Sequence, residues 1–429
     1  MKPSITFGLN YRGMRWVITG LLTLSTVINV IDQQTLSVLA PLLRDKFNLS
    51  PQDYSNVVTA FLISFTIMYT VGGILVDRVG ERIGMTVCIL WFSISTMLGG
   101  LARGVWSLGI ARFLLGIGQP GNYPAALRTT TRWFSKSDRG LPIALFSSGT
   151  AIGSIIGPPL IAGVALLLGW RAAFFLPGFL GLILVVFWLG IYTHPESYPG
   201  ISPSEVQSLE SSEGATESTS LPRWTSLLKD RNVLALVLAR FVSDPVWIFY
   251  LFWIPEYLKR ARGFSLTEIG LYAWIPFVGG AIGGMAGGRA SDMLIARGVS
   301  PAKARTLVLY ICAAMAPLGM LTSQVHSAAA AIFLIAIMAF VAFSWFINTA
   351  AIIPDLFSEK VAGTVLGFMG TAGTAGGILF SILIGFLLTH YTYRVVFVLA
   401  GTMHLLASLV LFVSLREKAV HGPHGALAA

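Results

Sequence analysis

The chain has 429 residues, 55% hydrophobic and only 11% charged, with a formal net charge of +10 and a mean hydropathy of +0.76. A soluble globule of this composition would leave large apolar surfaces in water, so water-soluble fold classes are excluded. What remains is a multispanning membrane protein, and an all-α one, because strand-sized alternation is absent and helices satisfy their own backbone in hydrocarbon.

About 20 apolar residues cross roughly 30 Å of hydrocarbon. That ruler predicts twelve transmembrane helices near 16–42, 54–76, 84–102, 105–127, 141–166, 171–193, 232–258, 267–290, 304–322, 327–353, 361–388 and 393–415. No small-residue cleavage site follows the first apolar run, which therefore reads as a retained helix. It carries the polar patch INVIDQQTLSV, with Asp32 flanked by Asn29, Gln33 and Gln34. The second helix contains Tyr69 and runs into GGILVDRVGERIG, with Gly73, Asp77, Arg78, Gly80 and Arg82.

The fourth helix holds Arg112 and then GIGQPGNYPAALRTTTRWF from residue 116. Pro120 cannot donate to the carbonyl of Gly116, nor Pro124 to that of Pro120, so a bend is expected where Gln119, Asn122 and Tyr123 turn polar side chains inward. That bend reads as a ligand site or as a kink that serves packing alone. Arg128, Arg132 and Arg139 beyond it read as a basic cytoplasmic rim. In the fifth helix Gly149, Gly153 and Gly157 form a packing stripe beside the polar Thr150. The segment 194–231, with five Glu among Ser, Thr and Pro, reads as a solvated linker.

In the seventh helix Arg240 and Asp244 are four apart and read as an intrahelical pair. Trp247 and Tyr250 lie near the Asp244-Pro245 break, and Trp274 follows in the eighth helix. Such aromatics offer flat faces to a sugar ring or form interfacial belts. The loop GGRASDMLIARG then repeats the spacing of the first half, with Gly288 four residues before Asp292 as Gly73 is before Asp77. Asn348 is a polar point in the tenth helix. The chain thus divides into a six-helix bundle over 1–193, a cytoplasmic linker over 194–231, and a second, pseudo-symmetric six-helix bundle with a cytoplasmic tail over 232–429.

With both termini inside, about 19 basic residues face the cytoplasm and about 8 face outward, the positive-inside bias. This accounts for the net charge without nucleic acid. Cys88 and Cys312 fall in separate spans and give neither a disulfide framework nor a metal site. No cofactor motif, phosphate-cradling loop or histidine cluster supports an enzyme, and no ring of equivalent residues supports a channel.

Ionisable groups inside a span are expensive and functional by default. Asp32 is the candidate proton carrier; its alternative is a hydrogen-bonded structural carboxylate. Arg112 either attracts an anion or is neutralised by a carboxylate on a neighbouring helix, acting then by tuning Asp32 or holding the fourth helix in place.

The set Gly73, Asp77, Arg78, Gly80 and Arg82, with Arg112 followed by Gly116, resembles the major facilitator superfamily. Within it, DQQTLSVLAP, GIGQPGNYPAALRTTTRWFSKSDRG, RFVSDPVWIFYLFWIPEYLKRARGFSL and LYAWIPF resemble the anion:cation symporters, and among these the hexuronate and sugar-acid carriers. The resemblance implies the major facilitator fold and proton-coupled uptake of a carboxylate sugar by alternating access, in a monomeric carrier of the bacterial inner membrane. Asp32 and Arg112 would couple protons. Gln33, Tyr69, Gln119, Asn122, Tyr123, Thr150, Trp247, Tyr250, Trp274 and Asn348 would contact substrate. Asp77, Arg78, Arg82 and Asp292 would form a cytoplasmic gate that latches through arginine. Relatives usually have Glu at the position of Gln119, and many have Arg at that of Gln33. Gln cannot release a proton, so one titrating carboxyl is left and electroneutral uptake of a monoanion is expected. The rivals are an uncoupled facilitator or anion exchanger, and a transporter-like sensor that binds without moving its ligand.

Overall fold

The computed structural model describes residues 10–135, 138–198, 201, 227–357 and 359–415, and among them there is no β-strand. Most of the linker expected over 194–231 lies outside the described residues. The first seven helices are α1 (Tyr11–Phe47), α2 (Pro51–Val79), α3 (Glu81–Gly100), α4 (Val105–Gly118), α5 (Asn122–Trp133), α6 (Gly140–Leu168) and α7 (Ala172–Ile191). The second seven are α8 (Arg231–Arg262), α9 (Leu266–Tyr272), α10 (Ile275–Ala296), α11 (Pro301–Met315), α12 (Ala328–Leu356), α13 (Glu359–His390) and α14 (Tyr393–Ser414).

Local chemistry sets several of these ends. The Asn10 side chain accepts from the Gly13 N–H to start α1, and Asn48 ends it in the left-handed region at φ 50°. Ser50 and Asp53 form a capping box ahead of α2, with Pro51 in its first turn. Ser265 and Glu268 do the same for α9.

Ten helices among the described residues are long and apolar enough to cross a membrane, and the pair Pro51–Tyr69 and Val71–Val79, bent by 50°, makes an eleventh. The span expected at 105–127 is the exception. The 14 residues of α4 rise only about 21 Å, short of the hydrocarbon thickness, and the segment continues as α5 after a break at residues 119–121. The chain is thus an all-α, multi-pass membrane protein, and the ten or eleven spans among its described residues, with the broken segment beside them, are roughly consistent with the twelve expected.

The described residues pack as two compact units: one from within 1–219 together with 249–277 and 378–393, the other from within 220–248, 278–377 and 394–429. In the first, α6 lies against α1 along the predicted glycine stripe. A Cβ on Gly149 would stand 2.8 Å from the carbonyl of Thr23, and one on Gly153 2.8 Å from that of Val27. The same unit gathers the later half of α8 onto α1 and α2: Ser37 and Tyr54 hydroxyls donate to the Leu251 and Phe252 carbonyls, each at 2.6 Å. Ser55 donates to Ser381 of α13 at 2.6 Å. The buried Glu256 is paired by Arg44 and, at 3.0 Å, by Arg260. In the second unit Ser344 of α12 donates to the Gly283 carbonyl of α10 at 2.6 Å, and Trp345 meets His404 of α14 edge-on with centroids 5.2 Å apart.

The α1–α6 contact predicts a contrast. Gly153→Ala forces a methyl into the Val27 backbone, whereas Gly163→Ala meets nothing within 4 Å. The first should cost about 1–3 kcal/mol and lower the thermal unfolding midpoint in detergent; the second should leave it within error. Equal midpoints for the two variants would contradict the close packing of α1 on α6.

Candidate functional site

Asp32 lies about three fifths of the way along α1 and is fully buried. Its carboxyl stands beside the Thr96 hydroxyl of α3 and the Arg112 guanidinium of α4, yet neither of its oxygens forms a hydrogen bond of normal geometry. Arg112, itself 3% exposed, donates instead to the backbone carbonyls of Asp32 at 3.2 Å and Gln33 at 3.3 Å. Its guanidinium also lies over the Phe174 ring, 5.7 Å from the centroid. Arg112 therefore ties α4 to the backbone of α1, and it acts on the Asp32 carboxyl through space rather than as a hydrogen-bonded ion pair. A carboxyl in this setting has a cation near enough to respond to but none that neutralises it by direct contact.

The break after α4 is fastened to the same stretch of α1. The Gln119 side-chain amide donates to the Asn29 carbonyl at 2.7 Å, and the Asn29 amide donates back to the Gln119 carbonyl at 3.4 Å. Three residues on, the Asn122 side-chain oxygen accepts from the Ser25 hydroxyl at 2.5 Å. Gln119 and Asn122 are both buried, and the Gln119 side-chain oxygen has no hydrogen-bond partner. Close approach is possible because α4 is bare where α2 crosses it: a Cβ on Gly116 would overlap the Ser64 hydroxyl and stand 2.6 Å from the Phe61 carbonyl. Tyr123 takes no part in these hydrogen bonds: the residue is 51% exposed, and its ring packs edge-on against Phe146 with centroids 5.4 Å apart.

The structure therefore ranges Asn122, Gln119 and Arg112 along one stretch of α1, at Ser25, Asn29 and Asp32 in turn, with Thr96 beside the Asp32 carboxyl. The other candidates are spread more widely. Gln33 is half-buried and Thr150 exposed. Tyr69 is 43% exposed with its ring 6.1 Å from that of Phe65. Tyr250 is buried beside Phe249. The Trp274 indole caps the end of α9 by donating to the Leu271 carbonyl at 2.7 Å. In the second unit Trp247 packs edge-on to Phe343 at 4.6 Å. Asn348 is fully buried, donating to the Ser344 carbonyl at 2.9 Å. There too the Arg240–Asp244 pair forms at 2.7 Å, as the spacing predicts.

At the α2–α3 turn the partners differ from those expected. Arg128 of α5 donates to the Asp77 carboxylate at 3.2 Å and to its carbonyl at 2.9 Å. Arg82 instead donates to the Leu189 carbonyl at 2.9 Å, and Arg78 is exposed in the last turn of α2. The residue missed in the sequence is Glu81, fully buried in the first turn of α3. It is contacted by Arg128 at 3.2 Å, Arg132 at 3.0 Å and the His194 ring at 3.2 Å, and it accepts from the Tyr192 hydroxyl at 2.7 Å. Arg128 and Arg132 are thus not a free basic rim. Burial opposes the charge of Arg132, but Glu81 and Glu196 hold its guanidinium above the ordinary value. The signal in the sequence was an acid opening an apolar helix, with two arginines four residues apart on a later one. In the second unit Asp292 has a matching but looser partner, Arg305, at 3.8 Å, which pairs more closely with Asp355 at 2.8 Å.

Comparison with known proteins fits this architecture. The sequence model of the Major Facilitator Superfamily matches residues 22–381 and 346–428. A hexuronate transporter of Escherichia coli K12 is 28% identical over 420 residues, covering 95% of each chain. A galacturonate transporter of Dickeya chrysanthemi is 29% identical over 281 residues, which cover 65% of this chain and 81% of that one. Among solved structures, the inward-open xylose transporter XylE of E. coli superposes with a TM-score of 0.73 at 15% identity, covering 95% of this chain and 98% of that one. An inward-facing bacterial homologue of the human lysosomal transporter Spinster gives 0.71 at 17% identity, covering 93% and 95%. At these identities the two structures speak to the fold alone.

The turn predicts a second contrast. Glu81→Gln leaves Arg128 and Arg132 facing a buried neutral group and should cost about 3 kcal/mol or more. Asp77, whose side chain is 76% exposed, should cost well under about 1 kcal/mol when changed to Asn. Thermal unfolding of the two variants in detergent checks this ordering; a reversed order would show that Glu81 is not the anchor of the cluster.

Proposed function

Because the chain belongs to the major facilitator superfamily, a family of transporters rather than enzymes, we propose that it is a secondary active transporter that takes up a sugar acid together with protons by alternating access. Hexuronates are the substrate class this reading puts first, since the curated relatives include hexuronate and galacturonate transporters. It works in a bacterial inner membrane with both termini in the cytoplasm, and the bundles over 1–193 and 232–429 are its moving parts.

The observation that carries the coupling is Asp32: a buried carboxyl inside a membrane span, with no hydrogen bond of normal geometry and a guanidinium held close by other bonds. Such a group changes its proton occupancy when water or an anion arrives. The need for a proton is energetic, because moving one negative charge into an inside-negative cell costs about 2.3 kcal/mol per 100 mV. One proton carried with a monoanion removes that cost. Gln33 and the amides at the break, Gln119 and Asn122, offer hydrogen bonds suited to sugar hydroxyls.

Gln119 favours a second reading, an exchanger or facilitator without proton coupling, because a permanently neutral amide already donates to Asn29 where a carboxyl would need a proton to do so. One experiment separates the two. In proteoliposomes of the full chain, acid outside should drive accumulation of D-galacturonate, and Asp32→Asn should reduce accumulation by about tenfold or more while leaving equilibrium counterflow in place. Undiminished acid-driven accumulation by Asp32→Asn would refute the coupling role. Wild-type uptake that ignores an imposed pH gradient would favour the exchanger.

A further inference from the structure

The second unit carries its own intramembrane charge pair, and it is built unlike an ordinary helix-surface pair. Arg240 and Asp244 lie mid-span in α8, joined by the Arg240 Nε and one Asp244 oxygen at 2.7 Å. The other Asp244 oxygen accepts from the Ser243 hydroxyl at 3.5 Å. The guanidinium is held independently of the carboxylate: its carbon lies 4.2 Å from the Phe346 ring centroid, and it donates to the Thr349 hydroxyl at 3.3 Å. Both anchors come from α12, so Arg240 keeps its orientation if Asp244 lets go.

Accessibility is divided in the opposite way from a buried structural pair. The carboxylate side chain is 17% exposed and the guanidinium 5%. The carboxylate is thus the more open member of the pair. Ionised, Asp244 repels an incoming anion and occupies its partner; protonated, it does neither. On α13 a methyl at Gly373 would overlap the Asp244 carboxylate, so the glycine is what lets the carboxylate lie against that helix. Pro245 follows directly and supplies no N–H to the Phe241 carbonyl, which places the pair at a weakened turn of α8. The helix itself continues unbroken from Arg231 to Arg262, so the break expected at Asp244-Pro245 is corrected to a missing hydrogen bond within a continuous helix.

We propose that Arg240 and Asp244 form a second ionic site, in which a substrate carboxylate displaces Asp244 from Arg240 while Asp244 takes up a proton. The Arg240–Asp244 hydrogen bond breaks, an Arg240–substrate hydrogen bond forms, and the incoming proton balances the incoming charge. Among the described residues, the charged or titratable side chain facing Asp244 is Arg240 on its own helix; α12 contributes Phe346 and Thr349, and α13 contributes Gly373, none of which titrates. The inference rests on the transport reading above and extends it, because a second carboxyl beside Asp32 makes uptake of a monoanion electrogenic rather than electroneutral.

Calorimetric titration of the full chain in nanodiscs with D-galacturonate, in two buffers of different ionisation enthalpy, counts protons taken up per ligand. Asp244→Asn should take up about one proton fewer than the wild type, and its affinity should weaken less steeply as pH rises. Arg240→Gln should weaken binding about tenfold or more; should that variant not fold, Arg240→Lys, which keeps the charge and loses the fork, should weaken it measurably. Wild-type proton uptake by Asp244→Asn, or wild-type affinity in the Arg240 variants, overturns the proposal. Asp32→Asn should keep the Asp244-dependent proton, so the two coupling sites fail separately. If the wild type binds no hexuronate, the substrate class proposed above is wrong, and the same titration with pyruvate as a plain carboxylate decides the exchange by the same outcomes.

Discussion

A helix broken inside hydrocarbon frees backbone groups that lipid cannot satisfy, and the fourth membrane segment of this protein is broken after Gly118. The protein meets that constraint with α1. Gln119 and Asn29 exchange side-chain and backbone hydrogen bonds across the break, and two turns earlier Arg112 reaches the carbonyls of Asp32 and Gln33. Arg112 and Gln119, about 10 Å apart along the fourth segment, therefore grip α1 at points about 5 Å apart, and the turn that carries Asp32 runs alongside this grip. The burial of Asp32 follows from this arrangement, and so does its chemistry. Its nearest cation is committed to backbone oxygens, which leaves the carboxyl close to charge without being neutralised by it.

The same economy appears at the helix ends and in the second unit. Asp77 and Asp292 occupy corresponding positions of the two repeats, and each is met by an arginine from a later helix, which also holds a less exposed carboxylate. In both cases the deeper acid, Glu81 or Asp355, has the shorter or more numerous contacts. The repeated aspartate is thus the outer member of a three-part cluster. Its solvent-exposed contact is weak enough to break, while the inner one keeps the turn folded when it does.

Much of this was legible in the sequence. The number and order of the spans follow from hydropathy, the break in the fourth from Pro120 and Pro124, and the α6 stripe from glycines spaced by four. Asp32 stood out because a carboxylate among apolar residues is costly. Other features needed three dimensions. Glu81 sits beside a recognisable glycine and aspartate pattern and was hidden by it, and its partners Arg128 and Arg132 read as rim charge because the positive-inside rule explains them without a contact. The packing of 249–277 and 378–393 with the first unit had no sequence signal, since hydropathy tells which residues avoid water and not which partner covers them.

The claim on which the functional account turns is that the Asp32 carboxyl gains and loses a proton during transport. Infrared difference spectroscopy of the reconstituted protein, recorded as hexuronate is added at neutral pH, reads this directly through the carboxyl stretch. The account predicts a protonation change whose Asp32 component vanishes in Asp32→Asn. A wild-type spectrum reproduced in full by that variant would contradict it.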